Sequence, residues 1–489
     1  MSQDVRNIAP QNVWNHFADL NAVPRPSKKE ERVIQFMLDF GKSLNLDTSV
    51  DKVGNIIIKK PATSGMEDRK AIVMQGHLDM VHQKNADTNF DFEKEGIKMF
   101  VDGDWVKAKG TTLGADNGLG VAAIMAVLSS KEIQHPAIEA LFTIDEETGM
   151  TGAMGLDANV LTGEMLLNLD TEEDDEIGIG CAGGVDVTAT GSYTLEPIPE
   201  KTKAFKIAVT GLNGGHSGMD IIKGLGNANK IMNRLLFGGY EKFGLRIASI
   251  NGGSLRNAIP RESFATVVID SASEKLFLKE SYLLIDKIKK EFASLEQNLI
   301  VEIKTTETPT NILDIASQNK FTKAIYATLN GVYRMSPDVE GLVETSNNIA
   351  KITVESGEIK ILCLTRSSSE SNKWDLANAI RAAFELANFT VDFSGSYPGW
   401  LPNMNSSILK VVESSYIKLF KDQPHVAACH AGLECGILGE NYPEMEMISF
   451  GPNIKGAHSP DERAQISSTQ KFWKLLLEVL KNIPKNTSI

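Results

Sequence analysis

The sequence predicts an α/β protein with a mixed, largely parallel sheet flanked by helices, interrupted by an inserted α+β domain. Three observations carry this. Short apolar runs alternate with helical stretches through the first third of the chain. After about Gly184 the texture changes to alternating strands with longer helices between them. The final stretch then returns to the first pattern. Strand–helix alternation is the mark of a parallel sheet covered by helices.

The elements follow in chain order. Residues 31–45 (ERVIQFMLDFGKSLN) space their apolar side chains for a helix. Residues 55–60 (NIIIKK) and 71–75 (AIVMQ) have strand length, and 118–128 (GLGVAAIMAVL) reads as a buried helix. Strands are expected at 137–144 and 165–169. In the inserted part, strands are expected at 203–210, 264–269 and 299–304, with helices at 222–236 and 274–295. The runs 349–354 and 359–364, joined through Ser356 and Gly357, predict a hairpin. A helix at 374–387 follows, then helices at 406–419 and 470–481 around a short strand at 447–450. The expected domains are 1–186, 187–397 and 398–489, the first and last forming one body.

The 489 residues carry a net charge of −13, which opposes a nucleic-acid backbone as partner. Four cysteines in so long a chain make no disulfide framework. The first residues, MSQDVRNIAPQNVWNHF, lack a basic segment followed by an apolar one, and no apolar run approaches the roughly 20 residues that cross a bilayer. A cytoplasmic protein without membrane partners is expected.

The residues that could carry chemistry lie just after predicted strands, where parallel sheets bind ligands. AIVMQ runs into Gly76-His77-Leu78-Asp79. A glycine-bearing turn, GTTLGADNG, brings Asp116 to a helix start. The strand at 137–144 ends in Asp145-Glu146-Glu147, and that at 165–169 ends in Asp170. The last strand leads to His458 in GAHSPDE. Each fragment alone has an ordinary explanation. Asp116 could be a helix cap. The acids at 145–147 and 172–176 could be solvated loops. Together they supply two imidazoles and several carboxylates at the ends of one sheet, a donor set suited to zinc, manganese or cobalt.

The set GHLDMV, GTTLGADNG, DEETGM, LLNLDTEE, GLNGGHSGMD, GGSLRNAIPRE and GAHSPDE resembles the di-zinc aminoacylase and carboxypeptidase family of metallopeptidases, over essentially the whole chain. CAGG at Cys181–Gly184 and HAGLECG at His430–Gly436 resemble one dipeptidase subgroup within it. The resemblance implies a zinc-peptidase-like catalytic domain with the insertion as a lid that closes over the metals. It implies two divalent metal ions per chain, zinc first, with cobalt or manganese as alternatives. His77 and Asp170 would hold one, Glu147 and His458 the other, and Asp116 would bridge the pair; the Asp116–Asn117 peptide would be cis. Asp79 would orient His77, and Glu146 would be the general base. His216 would stabilise the oxyanion. Asn257 and Arg366 would bind the substrate carboxylate, and Glu434 is the candidate beside its amine.

The implied reaction is hydrolysis of unblocked dipeptides, including Xaa-His (carnosine-like) substrates. The insertion, at roughly 210 residues, is about twice the size of the lid in many relatives. It carries both His216 and Arg366, so a homodimer is allowed but not required for catalysis. A deacylase on the same fold and a catalytically silent relative are the alternatives. The second is opposed by the presence of Glu146 beside all five ligands.

Overall fold

The computed structural model describes residues 3–486. The chain divides into two compact units. One comprises Met1–Gly180, Trp400–Ala428 and Leu433–Ile489; the other comprises Cys181–Gly399 and Cys429–Gly432. The second unit thus begins before the expected 187 and also recruits a short segment from the C-terminal part.

The first unit is built on an eight-stranded sheet in the order Asp47–Val50, Ile56–Lys60, Ile138–Thr143, Ile72–His77, Met165–Asn168, Glu446–Ser449, Glu176–Cys181, His425–Cys429. The middle four run parallel. They are buried on both faces and therefore read as continuous apolar runs. Helix Ala115–Ser129 packs along Ile72–His77, and Gln11–Asn21 packs on that helix with Trp14 and Phe17 fully buried. A separate four-stranded sheet contains Ile454–Lys455 and Arg463–Gln465, an antiparallel pair whose connecting loop carries His458.

Polar side chains interrupt the apolar sheet in one row. Gln75, Asn168 and Ser449 occupy matched positions on three neighbouring strands. Asn168 donates to Gln75 Oε1 at 2.6 Å, and Ser449 donates to Asn168 Oδ1 at 2.5 Å. Each is buried and paired, so the row fixes register without leaving an orphan group.

The second unit is a nine-stranded antiparallel sheet. Its order is Ile300–Thr305, Thr202–Thr210, Ser263–Asp270, Arg246–Gly252, Val343–Glu355, Glu358–Ser367, Gly183–Ser192, Thr390–Tyr397, with Gly331–Met335 beside Val343–Glu355. The hairpin at 355–358 turns on Ser356 and Gly357, both at positive φ, which suits the twist of its strands. Helices Ala228–Phe243, Glu274–Glu291, Ile315–Ala327 and Glu370–Glu385 contribute to one apolar core with the sheet.

The helix expected at 222–236 is displaced. Ile221–Lys223 forms a 3₁₀ turn that ends on Gly224, and the helix spans Ala228–Phe243, capped by the Asn227 side chain. The helix expected from 374 starts earlier, at Glu370, with Ser369 as its cap.

Candidate active site

In the first unit the predicted metal ligands converge: His77, Glu147 and Asp170 come from the carboxyl ends of parallel strands, Asp116 from the start of helix Ala115–Ser129, and His458 from the loop between Ile454–Lys455 and Arg463–Gln465. His77 ends its strand and is buried, with Nε2 3.1 Å from Asp116 Oδ1 and 3.5 Å from Asp170 Oδ1. Its other nitrogen, Nδ1, lies 3.4 Å from Asp79 Oδ1. His458 Nε2 lies 3.2 Å from Asp116 Oδ2 and 3.0 Å from Glu147 Oε2. Two triads result, His77–Asp116–Asp170 and Asp116–Glu147–His458, and each has ligand atoms within 4.8 Å of one another. Asp116 belongs to both, with one oxygen facing each imidazole.

Asp116 is therefore not a helix cap; Gly114 occupies that position and makes no side-chain bond. The Asp116–Asn117 peptide is cis. Nor are the acids at 145–147 a solvated turn: Asp145 is buried, and the Glu147 side chain is 4% exposed. The acids after Asp170 also depart from expectation. Among Glu172, Glu173, Asp174, Asp175 and Glu176, only Asp175 is exposed. Burial pushes the Glu172 carboxyl up to about 8, and the negative charge of Asp116 and Asp170 adds to the rise.

The residues fit a pair of divalent cations. Glu147 Oε1 and Asp170 Oδ1 are buried without a hydrogen-bond partner, an arrangement that costs free energy unless a cation satisfies them. Two imidazoles and three carboxylates form a mixed N/O set, as borderline metals prefer. Burial works against a charged His77, but Asp170, Asp116 and Asp79 outweigh it and hold its pKa well above normal. Hydrogen bonds to Asp116 and Glu147 likewise push His458 up to about 11. The same negative field that retains those protons favours metal cations in their place.

Asp79 is fully buried and tied down on both oxygens. Oδ1 accepts the Glu146 amide at 3.0 Å, and Oδ2 accepts Ser27 Oγ at 2.7 Å and the Glu147 amide at 3.3 Å. Burial alone would raise its pKa, yet the bond to His77 and these donors bring it down to about 2. The anion is thus held against His77 Nδ1, which leaves Nε2 toward the carboxylates. For Glu146, burial dominates and raises its pKa well above normal. Glu434 is buried as well. Its Oε2 accepts from Gln75 at 2.6 Å and Thr143 at 2.7 Å, while Oε1 has no partner. Burial brings its pKa up to about 7.

Two residues that the sequence reading did not single out shape this centre. Glu462, buried, accepts the amides of Leu113, Gly114 and Ala115 at 2.7, 3.0 and 2.7 Å, and that of Asp116 at 3.3 Å. It lies inside the GAHSPDE motif, which is the signal that could have found it. Arg25, also buried, donates to the carbonyls of Leu78, Asp79 and Gly114 at 2.9, 3.0 and 2.6 Å. Gly114 sits at φ 70°, and a Cβ there would come within 2.6 Å of Arg25 Nη2. The glycine is required by both backbone and neighbour.

In the second unit, His216 lies in a short antiparallel pairing, Gly215–His216 with Ala258–Ile259; Asn257 directly precedes the second strand, and the Ser217 amide donates to the Asn257 carbonyl at 2.7 Å. The amides of Gly218 and Met219 donate to His216 Nδ1 at 3.3 and 3.1 Å. That pattern assigns the ring proton to Nε2. Burial, helped by the Arg366 charge, lowers the His216 pKa, so the ring is a neutral donor. Arg366 is 5% exposed and has no carboxylate partner within 4.0 Å among the described residues. Its Nη1 donates to the Tyr397 hydroxyl at 2.7 Å, and its Nε has no partner. His430, from the HAGLECG segment, is buried with Nε2 2.8 Å from Ser346 Oγ; its carbonyl would meet a Cβ at Gly218 at 2.0 Å. The structure gathers His216, Asn257, Arg366 and His430 on one unit, and the metal-ligand set with Glu146, Asp79 and Glu434 on the other.

This architecture, a parallel sheet whose strand ends carry a bridged acid–imidazole cluster, is that of a two-domain metallopeptidase. The chain belongs to Peptidase family M20/M25/M40, whose model matches residues 73–482. It is 43% identical to the cytosol non-specific dipeptidase of Escherichia coli (strain K12) over 483 residues, 98% of this chain and 99% of that protein. The crystal structure of aminoacylhistidine dipeptidase from Vibrio alginolyticus covers all of this chain and is itself fully covered, with TM-score 0.95 and 43% identity. An aminopeptidase PepT from Bacillus cereus shares the fold, with TM-score 0.57 and 15% identity over 97% of this chain and 99% of that one. Among the described residues, no helix is long and apolar enough to cross a membrane.

Proposed function

We propose that this chain is a cytosolic, metal-dependent dipeptidase acting on unblocked dipeptides, Xaa-His substrates included. The observation that carries this reading is Asp116 standing between two ligand triads, with the Glu146 carboxyl beside them. The 43% identity to a named dipeptidase along nearly the full chain supports the substrate class. The cofactors in this reading are two zinc ions, with cobalt or manganese as substitutes; His77 and Asp170 would hold one, Glu147 and His458 the other, with Asp116 shared. When bound, such a pair polarises water and the scissile carbonyl.

The remaining steps fall to side chains. Asp79 keeps His77 in the tautomer that presents Nε2. Glu146 takes the proton of the attacking water and delivers it to the leaving amine, work suited to a carboxyl whose burial lifts its pKa. His216 Nε2–H donates to the developing oxyanion. Arg366, with Asn257, takes the free C-terminal carboxylate. Glu434 Oε1 takes the substrate ammonium. The first unit serves as the catalytic body, and the second, Cys181–Gly399 with Cys429–Gly432, as the lid.

The test is turnover on a panel of free and end-blocked dipeptides, with metal analysis of the same sample. The reading expects two metal equivalents per chain and hydrolysis of Ala-His that fails when the C-terminus is amidated. Glu146→Gln should abolish turnover at unchanged metal content. Equal cleavage of N-acetyl amino acids, or turnover surviving in Glu146→Gln, would overturn it.

A further inference from the structure

We propose that Tyr397 is a positioning residue for Arg366, and that the glycine pair of the CAGG segment exists to seat it. This rests on Arg366 being the grip on the substrate carboxylate. Three neighbouring strands bring the residues into one row: Arg366 is in register with Gly184, and Gly184 with Tyr397. Matched residues on adjacent antiparallel strands project to the same face, and two strand spacings separate the outer pair by roughly 9–10 Å. An arginine and a tyrosine meet over that distance only if nothing stands on the middle strand. A Cβ at Gly184 would lie 2.7 Å from the Tyr397 hydroxyl oxygen and 2.8 Å from two of its ring carbons. Gly183 performs the matching task for the backbone: a Cβ there would lie 2.5 Å from the Tyr397 carbonyl and from the Gly399 nitrogen.

The tyrosine is also fixed from behind. Lys373, fully buried, donates to the Tyr397 carbonyl at 2.8 Å and to Ser396 Oγ at 3.1 Å. The Tyr397 hydroxyl then accepts Arg366 Nη1 at 2.7 Å. That choice of nitrogen matters. Binding at Nη1 leaves the Nε–Nη2 edge, whose two parallel N–H bonds match a carboxylate. Nε is buried there with no partner. Tyr397 therefore sets the plane of the guanidinium and decides which edge the ligand meets.

The experiment compares kinetics of the metal-loaded full chain with Tyr397→Phe, Arg366→Lys and the double variant. Phe keeps the ring over Gly184 and removes only the hydroxyl. Loss of one hydrogen bond to a charged group predicts a KM for Ala-His raised about tenfold, with kcat within about twofold. The double variant should be no worse than Arg366→Lys alone. Gly184→Ala, where it folds, should reproduce the KM defect. If Arg366→Lys raises KM and Tyr397→Phe does not, or changes only thermal stability, the positioning role is overturned while the carboxylate reading stands. If Arg366→Lys leaves KM unaltered, the carboxylate reading itself falls.

Discussion

The carboxylate of Glu462 accepts the backbone amide of Asp116, and with it the three amides before. The loop that carries one imidazole is thereby locked to the turn that carries the shared carboxylate. Asp116 and His458 are far apart in sequence, yet their separation is set by one side chain whose charge also sits favourably at a helix start.

Replacing Glu462 should consequently disturb metal binding before it disturbs the fold elsewhere. Glu462→Ala strands buried amides and removes a counter-charge felt by Arg25, a loss of about 3 kcal/mol. Urea unfolding of the apoprotein measures this, and elemental analysis should show sub-stoichiometric metal. Full metal content with unaltered urea midpoint would contradict the assigned role.

Cation binding should release protons. In the cation-free chain, carboxylates hold the pKa of His77 and His458 above the ordinary 6.5. The stability they contribute is complete below about pH 6.5 and is lost as pH rises through their raised values, for His458 about 11. Metal must displace those protons, so titrating apoprotein at pH 7 in weak buffer should liberate on the order of two protons per chain. Chelation should lower the melting temperature, with a larger difference at alkaline pH than at pH 6.

Acid should weaken the second unit through His430. Burial, with Arg366 and His216 adding, pushes its pKa down to about 3. A depressed histidine is neutral when folded, so its contribution is intact above pH 6.5 and falls away below it as the unfolded chain takes up the proton. The cost reaches about 3 kcal/mol by pH 4. Denaturant unfolding of wild type and His430→Asn at pH 7 and pH 4 should show a shallower pH dependence in the variant.

His216→Asn removes the neutral donor that two backbone amides orient. Turnover should drop about 10²–10³-fold with KM little altered, as expected of a contact made mainly in the transition state. Steady-state kinetics on Ala-His decide this; a purely KM effect would reassign the residue to ground-state binding.

The parallel strands and their ligand-bearing ends were legible because apolar runs stop abruptly at His77, Asp145 and Asp170. What escaped depends on partners distant in sequence. Arg25 and Glu462 act on main-chain atoms of other loops, and no residue spacing encodes that. Tyr397 acquires its meaning from a row of three strands. The helix expected at 222–236 was misplaced because Ile221 and Ile222 are apolar, while Gly224 and Gly226 break the backbone before Asn227 restarts it. The acids at 172–174 read as solvated because composition alone does not reveal that Lys455 pairs with Glu173 and Lys471 with Asp174.

One strand of the parallel sheet, Glu446–Ser449, arrives only after the whole inserted unit has been synthesised, yet it lies in the interior, against Met165–Asn168. The inserted unit can complete its own sheet before Glu446–Ser449 has been made; the first unit cannot. Until Glu446–Ser449 has been made, the backbone of Met165–Asn168 waits with an unsatisfied edge, a nascent state that invites strand capture by other chains. Glu446–Ser449 and the His458 loop behind it therefore reach the first unit together, and only after the inserted unit has been made.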